Sequence, residues 1–343
     1  MLTFHTADTQ LRHPRSELHG GQLVTPFECP ERVEIILARI RAADLGDVRE
    51  PERRGLAGVL EIHDAAYVDF LENLWENWQA EGHGGEPIPS IWPARTLRGD
   101  RIPDNLEGRL GYYALAAETS VCAGTFRAAL ASKDIALAAT DQVLTHGGGA
   151  FGLCRPPGHH AARDQFGGYC FFNNAAIAAQ HARDQGIARV AILDVDFHHG
   201  NGTQEIFYTR DDVLFASIHG DPALEFPYYL GYADETGSGR GEGFNLNYPL
   251  APGTGYPRWR QALEDALARI QAFGAELLIV SLGVDTFAQD PISSFTLESD
   301  DFSDYGGLLK RAGLPTVFLL EGGYAVEEIG VNVVNVLSGF DAG

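Results

Sequence analysis

Two histidine pairs stand out in a chain of 343 residues with only 12 histidines. His159-His160 follows Cys154-Arg155-Pro156-Pro157-Gly158, and His198-His199 follows Asp194-Val195-Asp196-Phe197 and precedes Gly200-Asn201-Gly202. Asp196 and His198 flank one residue, so in extended chain their side chains point the same way. Asp285, in Ser281-Leu282-Gly283-Val284-Asp285, would add a third donor and complete a set of two carboxylates and one imidazole. Three protein donors leave a position open, as a catalytic zinc requires, and an oxygen-rich set also suits Fe²⁺ or Mn²⁺. Glu321-Gly322-Gly323-Tyr324 brings a phenol. Cys154 and Cys170 lie near these segments, where buried thiols more often pack than bind.

Each segment follows an apolar run. Val190–Leu193 precedes Asp194, Leu277–Val280 precedes Ser281, Thr316–Leu320 precedes Glu321, and residues 150–153 precede Cys154. Short continuous apolar runs of this kind, together with Val213–Ala216, read as parallel strands covered on both faces. Helical periods lie around them: 31–43 with Val33, Ile36, Leu37 and Ile40, a second marked by Tyr67, Phe70, Leu71, Leu74, Trp75 and Trp78, then 173–185 and 257–272. Strands alternating with helices argue for one α/β domain with a parallel sheet. Ligands in such sheets bind beyond the carboxyl ends of the strands, which is where the titratable groups gather. Residues 80–112 differ, being rich in Gly, Pro and charge, and read as a long loop insertion of functional or oligomeric use.

The charge balance narrows the partners. There are 25 Lys+Arg against 47 Asp+Glu, a net charge of −22. No basic run offers a footprint for nucleic acid. The acidic surface either draws in a cationic substrate or simply keeps the protein soluble. Four scattered cysteines without a CxxC pair suggest neither a zinc ribbon nor a disulfide framework. The first residues lack a signal-peptide pattern and no apolar run is long enough to span a bilayer, so a cytoplasmic protein without a membrane partner is expected.

Taken together, DVDFHHGNGTQ, CRPPGHHA, GGYCFFNNAA, SLGVDTFAQDP and LEGGY resemble the zinc-dependent histone deacetylase superfamily. The likeness runs from His63-Asp64-Ala65-Ala66-Tyr67-Val68 to Tyr324. Within that superfamily the chain is most similar to bacterial acetylpolyamine amidohydrolases, through Glu17-Leu18, Gly20-Gly21, the 80–112 segment, residues 106–113 and Ala117-Glu118-Thr119. The resemblance implies an eight-stranded parallel sheet of the arginase–deacetylase type, with Asp196, His198 and Asp285 as metal ligands. It makes His159 and His160 the tandem histidines and Tyr324 the transition-state tyrosine. It sets Asp194 behind His159 and Asn201 behind His160, and it places a structural K⁺ or Na⁺ near Asp194 and Ser217. Tyr169 and Phe226 become walls of an acyl channel.

The implied chemistry is amide hydrolysis. A metal would acidify water and polarise the carbonyl, and Tyr324 would donate to the developing oxyanion. His160, backed by a neutral Asn201, is the expected general base and then acid, while His159, backed by an anionic Asp194, acts electrostatically. Glu107 and Glu118, in and just after the 80–112 segment, are the expected recognition sites for a cationic acetylated amine. The same segment would join a homodimer. Competing readings are a protein lysine deacetylase, which needs an open rim, and an arginase or agmatinase, which needs two metals and further ligands. An inactive acetyl-ligand-binding protein is the alternative of another class, disfavoured by the complete set of site residues.

Overall fold

A computed structural model describes residues 1–343. The strands are β1 (Leu2–Phe4), β2 (Glu17–His19), β3 (Gln22–Val24), β4 (Val48–Arg49), β5 (Gly149–Gly152), β6 (Val190–Asp194), β7 (Val213–Gly220), β8 (Asn245–Leu250), β9 (Leu277–Leu282) and β10 (Thr316–Leu320). The helices are α1 (Glu31–Ala42), α2 (Val59–Ile62), α3 (Ala65–Ala80), α4 (Leu106–Tyr113), α5 (Thr125–His146), α6 (Asn174–Asp184), α7 (Asn201–Phe207), α8 (Tyr256–Phe273), α9 (Ser299–Arg311) and α10 (Ile329–Ala342). Eight strands form one sheet in the order β4-β1-β5-β10-β9-β6-β7-β8, and every neighbouring pair is parallel. The expected eight-stranded α/β sheet is present. β2 and β3 form a separate antiparallel hairpin.

The apolar runs are continuous because both faces of the sheet are covered. Val190 and Ile192 of β6 pack into the core on one side, with α3, α5 and α6, while Ala191 and Leu193 pack on the other, with α1, α8, α9 and α10. β10 divides the same way, Val317 and Leu319 against Phe318 and Leu320. Period-two alternation thus sorts an unbroken apolar run into two cores. In α8, Trp259, Ala262, Leu263, Ala266, Leu267 and Ile270 fall on one helical stripe and are all buried. Each fully buried large aliphatic side chain contributes about 1.5–3 kcal/mol, so the stripe rather than helix propensity holds α8 against the sheet.

The 80–112 segment is shorter as a loop than its composition suggested. Residues 81–105 contain no helix or strand, but Leu106–Tyr113 is helical. Asn105 caps it by accepting the Gly108 N–H at 3.2 Å, and Leu106, Leu110 and Tyr113 are buried. Gly111 counted towards a loop composition, yet its role is close packing: a Cβ there would lie 1.7 Å from the carbonyl oxygen of Ile91. The loop therefore lies across the helix, where Trp92 Nε1 also donates to the Ala114 carbonyl at 3.0 Å. No helix is long and apolar enough to cross a membrane.

Candidate active site

Five neighbouring strands, β5, β10, β9, β6 and β7, deliver their carboxyl ends to one edge of the sheet. There Asp196 and His198 follow β6, Asp285 follows β9, and their donor atoms lie within 4.8 Å of one another. His198 Nδ1 is 3.0 Å from Asp285 Oδ2 and 3.3 Å from Asp196 Oδ1. All three are buried, and no lysine or arginine neutralises the two carboxylates. Burial and the Asp196 charge push Asp285 up to about 8, while Asp196 is held low by His159 and His198 against burial. A cation between them would relieve this repulsion. The backbone leaves room for the carboxylates: a Cβ on Gly283 would meet Asp196 Oδ2 at 2.1 Å, and one on Gly322 would meet Asp285 Oδ2 at 2.5 Å. The donor set and its glycine cradle fit a divalent ion.

The tandem histidines follow β5 and differ in setting. His159 Nδ1 is 3.0 Å from Asp194 Oδ2 and its Nε2 is 3.9 Å from Asp196 Oδ1. Burial opposes a charge on His159, but Asp194, Asp196 and Glu321 outweigh it and raise the imidazole to about 10. His160 Nδ1 lies 2.7 Å from Asn201 Oδ1. An amide oxygen only accepts, so Nδ1 carries the proton and Nε2 keeps its lone pair. Burial, then His159 and His198, holds His160 well below 6.5. His159 thus sits against a carboxylate and His160 against an amide, and their surroundings move the two imidazoles in opposite directions.

A cavity of about 320 Å³ opens onto this edge. His160, His198, Tyr169, Phe226, Glu118 and Tyr324 line it, and His159 does not. Phe226 packs edge-on against His160 with ring centroids 5.1 Å apart, and Tyr169 likewise against Tyr324 at 5.6 Å. Burial pushes the Tyr324 phenol well above 10 despite the nearby Arg32 charge, so it stays a donor. Glu118 Oε1 accepts the Gly168 N–H at 2.7 Å and the Thr119 hydroxyl at 2.9 Å. Glu107 is not brought here. It sits exposed in the first turn of α4, outside the lining of this chain's cavity. Asp194 and Ser217 are register partners on β6 and β7, and Ser217 Oγ is 2.8 Å from His219 Nδ1.

Several contacts that hold the site could not be read from the sequence. Glu321 Oε2 accepts the backbone N–H groups of Gly158 and His159, at 2.6 and 3.1 Å, and so fixes the histidine loop to β10. Arg32 of α1 donates to the carbonyls of Gly323 and Glu321, at 2.7 and 2.6 Å, and its guanidinium lies 4.9 Å from the Tyr324 ring. Glu17 Oε1 accepts the Tyr169 hydroxyl at 2.8 Å. Contacts such as Arg32 to Gly323 join residues far apart in sequence through the backbone, so no local spacing marks them.

The histone deacetylase domain family matches residues 26–340. Acetylpolyamine amidohydrolase 2 of Pseudomonas aeruginosa is 54% identical over 341 residues, covering 99% of both chains. Acetylpolyamine amidohydrolase of Mycoplana ramosa is 54% identical over 339 residues, again 99% of both. The crystal structure of acetylpolyamine aminohydrolase from Burkholderia pseudomallei, 40% identical, superposes with a TM-score of 0.94 over 100% of this chain and 99% of that one.

Proposed function

The chain belongs to the histone deacetylase superfamily and is acetylpolyamine amidohydrolase-like, and on that premise we propose that it hydrolyses N-acetylated polyamines or diamines to acetate and the free amine. One observation carries this reading: Tyr324, His160 and the buried Asp196–His198–Asp285 set meet at a cavity whose lining has carboxylates but neither lysine nor arginine. A substrate that is an amide at one end and an ammonium at the other matches both halves of that description.

Asp196, His198 and Asp285 would hold the ion, with zinc the proposed metal and Fe²⁺ or Mn²⁺ also suited to the donors. When bound, such an ion supplies Lewis acidity to a carbonyl and acidifies water. The protein's own groups do the rest. Tyr169 and Phe226 grip the alkyl chain and exclude solvent from it. Nε2 of His160 takes the proton from the attacking water, then returns one to the leaving amine. His160 is assigned this role because it lines the cavity and is neutral, whereas His159 is behind it and charged. His159, with Asp194, adds positive charge near the reacting carbonyl. Tyr324 donates to the oxyanion as it forms. Glu118, with one oxygen tied to Gly168, offers the other to the substrate's ammonium.

A structural K⁺ or Na⁺ is assigned to the neighbourhood of Asp194 and Ser217. We also assign the 81–105 segment to a contact between two copies, since Ile91, Leu97 and Ile102 on it are exposed. In such a dimer Glu107 would serve the neighbouring cavity. Assay of metal-loaded protein on an acetylated diamine, with and without chelator, tests the hydrolysis. Sedimentation of the Ile91→Glu variant tests the pairing, which a dimer unaffected by that change would contradict.

A further inference from the structure

Glu225 precedes Phe226 on the loop leaving β7, and its side chain lines the same cavity. Its Oε1 accepts the Ser294 hydroxyl at 2.8 Å. Ser294 belongs to the segment that carries Pro291 and Ile292, two further lining residues. No group of the chain donates to Glu225 Oε2. Glu118 is held in the same manner, with Oε1 engaged by Gly168 and Thr119 and Oε2 free. Glu17, the third lining carboxylate, is fully used: Oε1 accepts from Tyr169 and Oε2 from the Phe27 N–H. The cavity therefore presents two half-tethered carboxylates from separate segments and neither lysine nor arginine.

Tyr228 stands on the same loop as Glu225. It lines the cavity, is 49% exposed, and its ring centroid is 6.3 Å from that of Phe226. The Tyr232 hydroxyl donates to its carbonyl at 3.0 Å. An exposed phenol face beside a carboxylate attracts an ammonium by cation–π and Coulomb terms that act in the same direction.

We propose that Glu225, assisted by Tyr228, is a specificity-determining residue that binds a second ammonium of the substrate. The inference rests on the proposed amine deacetylation and refines its substrate class. With one ammonium paired to Glu118, a second on the same chain meets Glu225. A monoacetylated triamine, with two free ammonium groups, then gains over a monoacetylated diamine, which has one. A neutral N-alkylacetamide gains from neither carboxylate.

The test compares kcat/KM of the metal-loaded enzyme on these three substrates. In Glu225→Gln the triamine-to-diamine ratio falls about ten-fold, and in Tyr228→Leu about three-fold. Glu118→Gln instead lowers both amines relative to the neutral acetamide. Should Glu225→Gln fail to fold, Ser294→Ala decides, because it loosens the carboxylate without removing it and lowers the same ratio. An unchanged ratio in folded Glu225→Gln, or in Ser294→Ala where that variant must stand in, overturns the role of Glu225 while leaving amine deacetylation intact. Wild-type enzyme inert on both acetylated amines but active on acetyl-lysine peptides overturns the two readings together.

Discussion

Asp290 accepts the backbone N–H of Tyr324 at 2.7 Å and that of Ala325 at 3.2 Å on one carboxylate oxygen. Its other oxygen accepts the Ile292 N–H at 3.1 Å. One buried carboxylate thereby fixes both the segment bearing the candidate oxyanion donor and the segment lining the cavity beside it. Asp290→Ala leaves three N–H groups without their acceptor, each such bond to a charged group being worth about 1.5–3 kcal/mol. The expected result is a lower Tm and a kcat reduced by about ten-fold or more, as for a displaced reacting group, with bound metal retained. Thermal unfolding and metal content measured together check it. Unchanged kcat would show that Tyr324 is held by Arg32 and the β10 backbone alone.

Tyr324→Phe removes a hydroxyl that no other group of the chain engages. Its loss is expected to lower kcat by about 10²–10³, the usual effect of deleting one oxyanion donor, while KM and metal content change little. Steady-state kinetics decide the point, and near-normal turnover would move the oxyanion role elsewhere.

The pairing of His160 with a neutral amide has a pH signature. His160 lies well below 6.5 because it is buried beside His159 and His198. A general base works only when unprotonated, so kcat/KM falls as pH drops through its pKa. Asn201→Asp places an anion at the same contact and favours the imidazolium, which moves the acid limb upward by about one pH unit or more. A pH profile that stays where it was would remove His160 from the role of base.

Stability has its own pH dependence through Glu28. Arg12, Arg32 and Arg155 all donate to this buried carboxylate. Burial alone would raise it, but the Arg155, Arg12 and Arg32 charges overcome that and hold it at about 2, against an ordinary 4.5. A folded-state value below the unfolded one means the contribution is complete above about 4.5 and is lost as pH falls towards about 2. Glu28→Gln is expected to cost about 3–5 kcal/mol at neutral pH, because three buried guanidinium groups lose their counter-charge. Urea unfolding should show the gap between wild type and variant closing as pH drops from 4.5 towards 2. A gap independent of pH would mean that packing, not charge, is what the variant removes.

The central strands were legible because both of their faces are buried. β6, β9 and β10 announce themselves as apolar runs, and the groups just after them announce the site. β4, at the sheet edge, and β1 beside it have only two and three residues, and β8, at the other edge, carries Asn245, Asn247 and Pro249, so no apolar run marks them. α4 was hidden by Gly108 and Gly111, glycines required by contacts with Pro103 and Ile91 rather than by a turn. Asp196, His198 and Asp285 could be read from spacing because each sits two to four residues beyond a strand. Asp290, Glu321 and Arg32 could not, since their partners are backbone groups brought near only by the finished fold. Glu118 lines the cavity, whereas Glu107 lies in the first turn of α4 outside that lining.

One measurement bears most directly on the proposed hydrolysis. Metal-loaded enzyme is assayed for acetate release from a monoacetylated polyamine and from an acetyl-lysine peptide, before and after chelation and on restoring the ion. The expected result is a kcat/KM at least about ten-fold higher for the polyamine, abolished by chelator and restored by a single divalent ion per chain. Equal or better turnover of the peptide, or activity indifferent to the chelator, would contradict it.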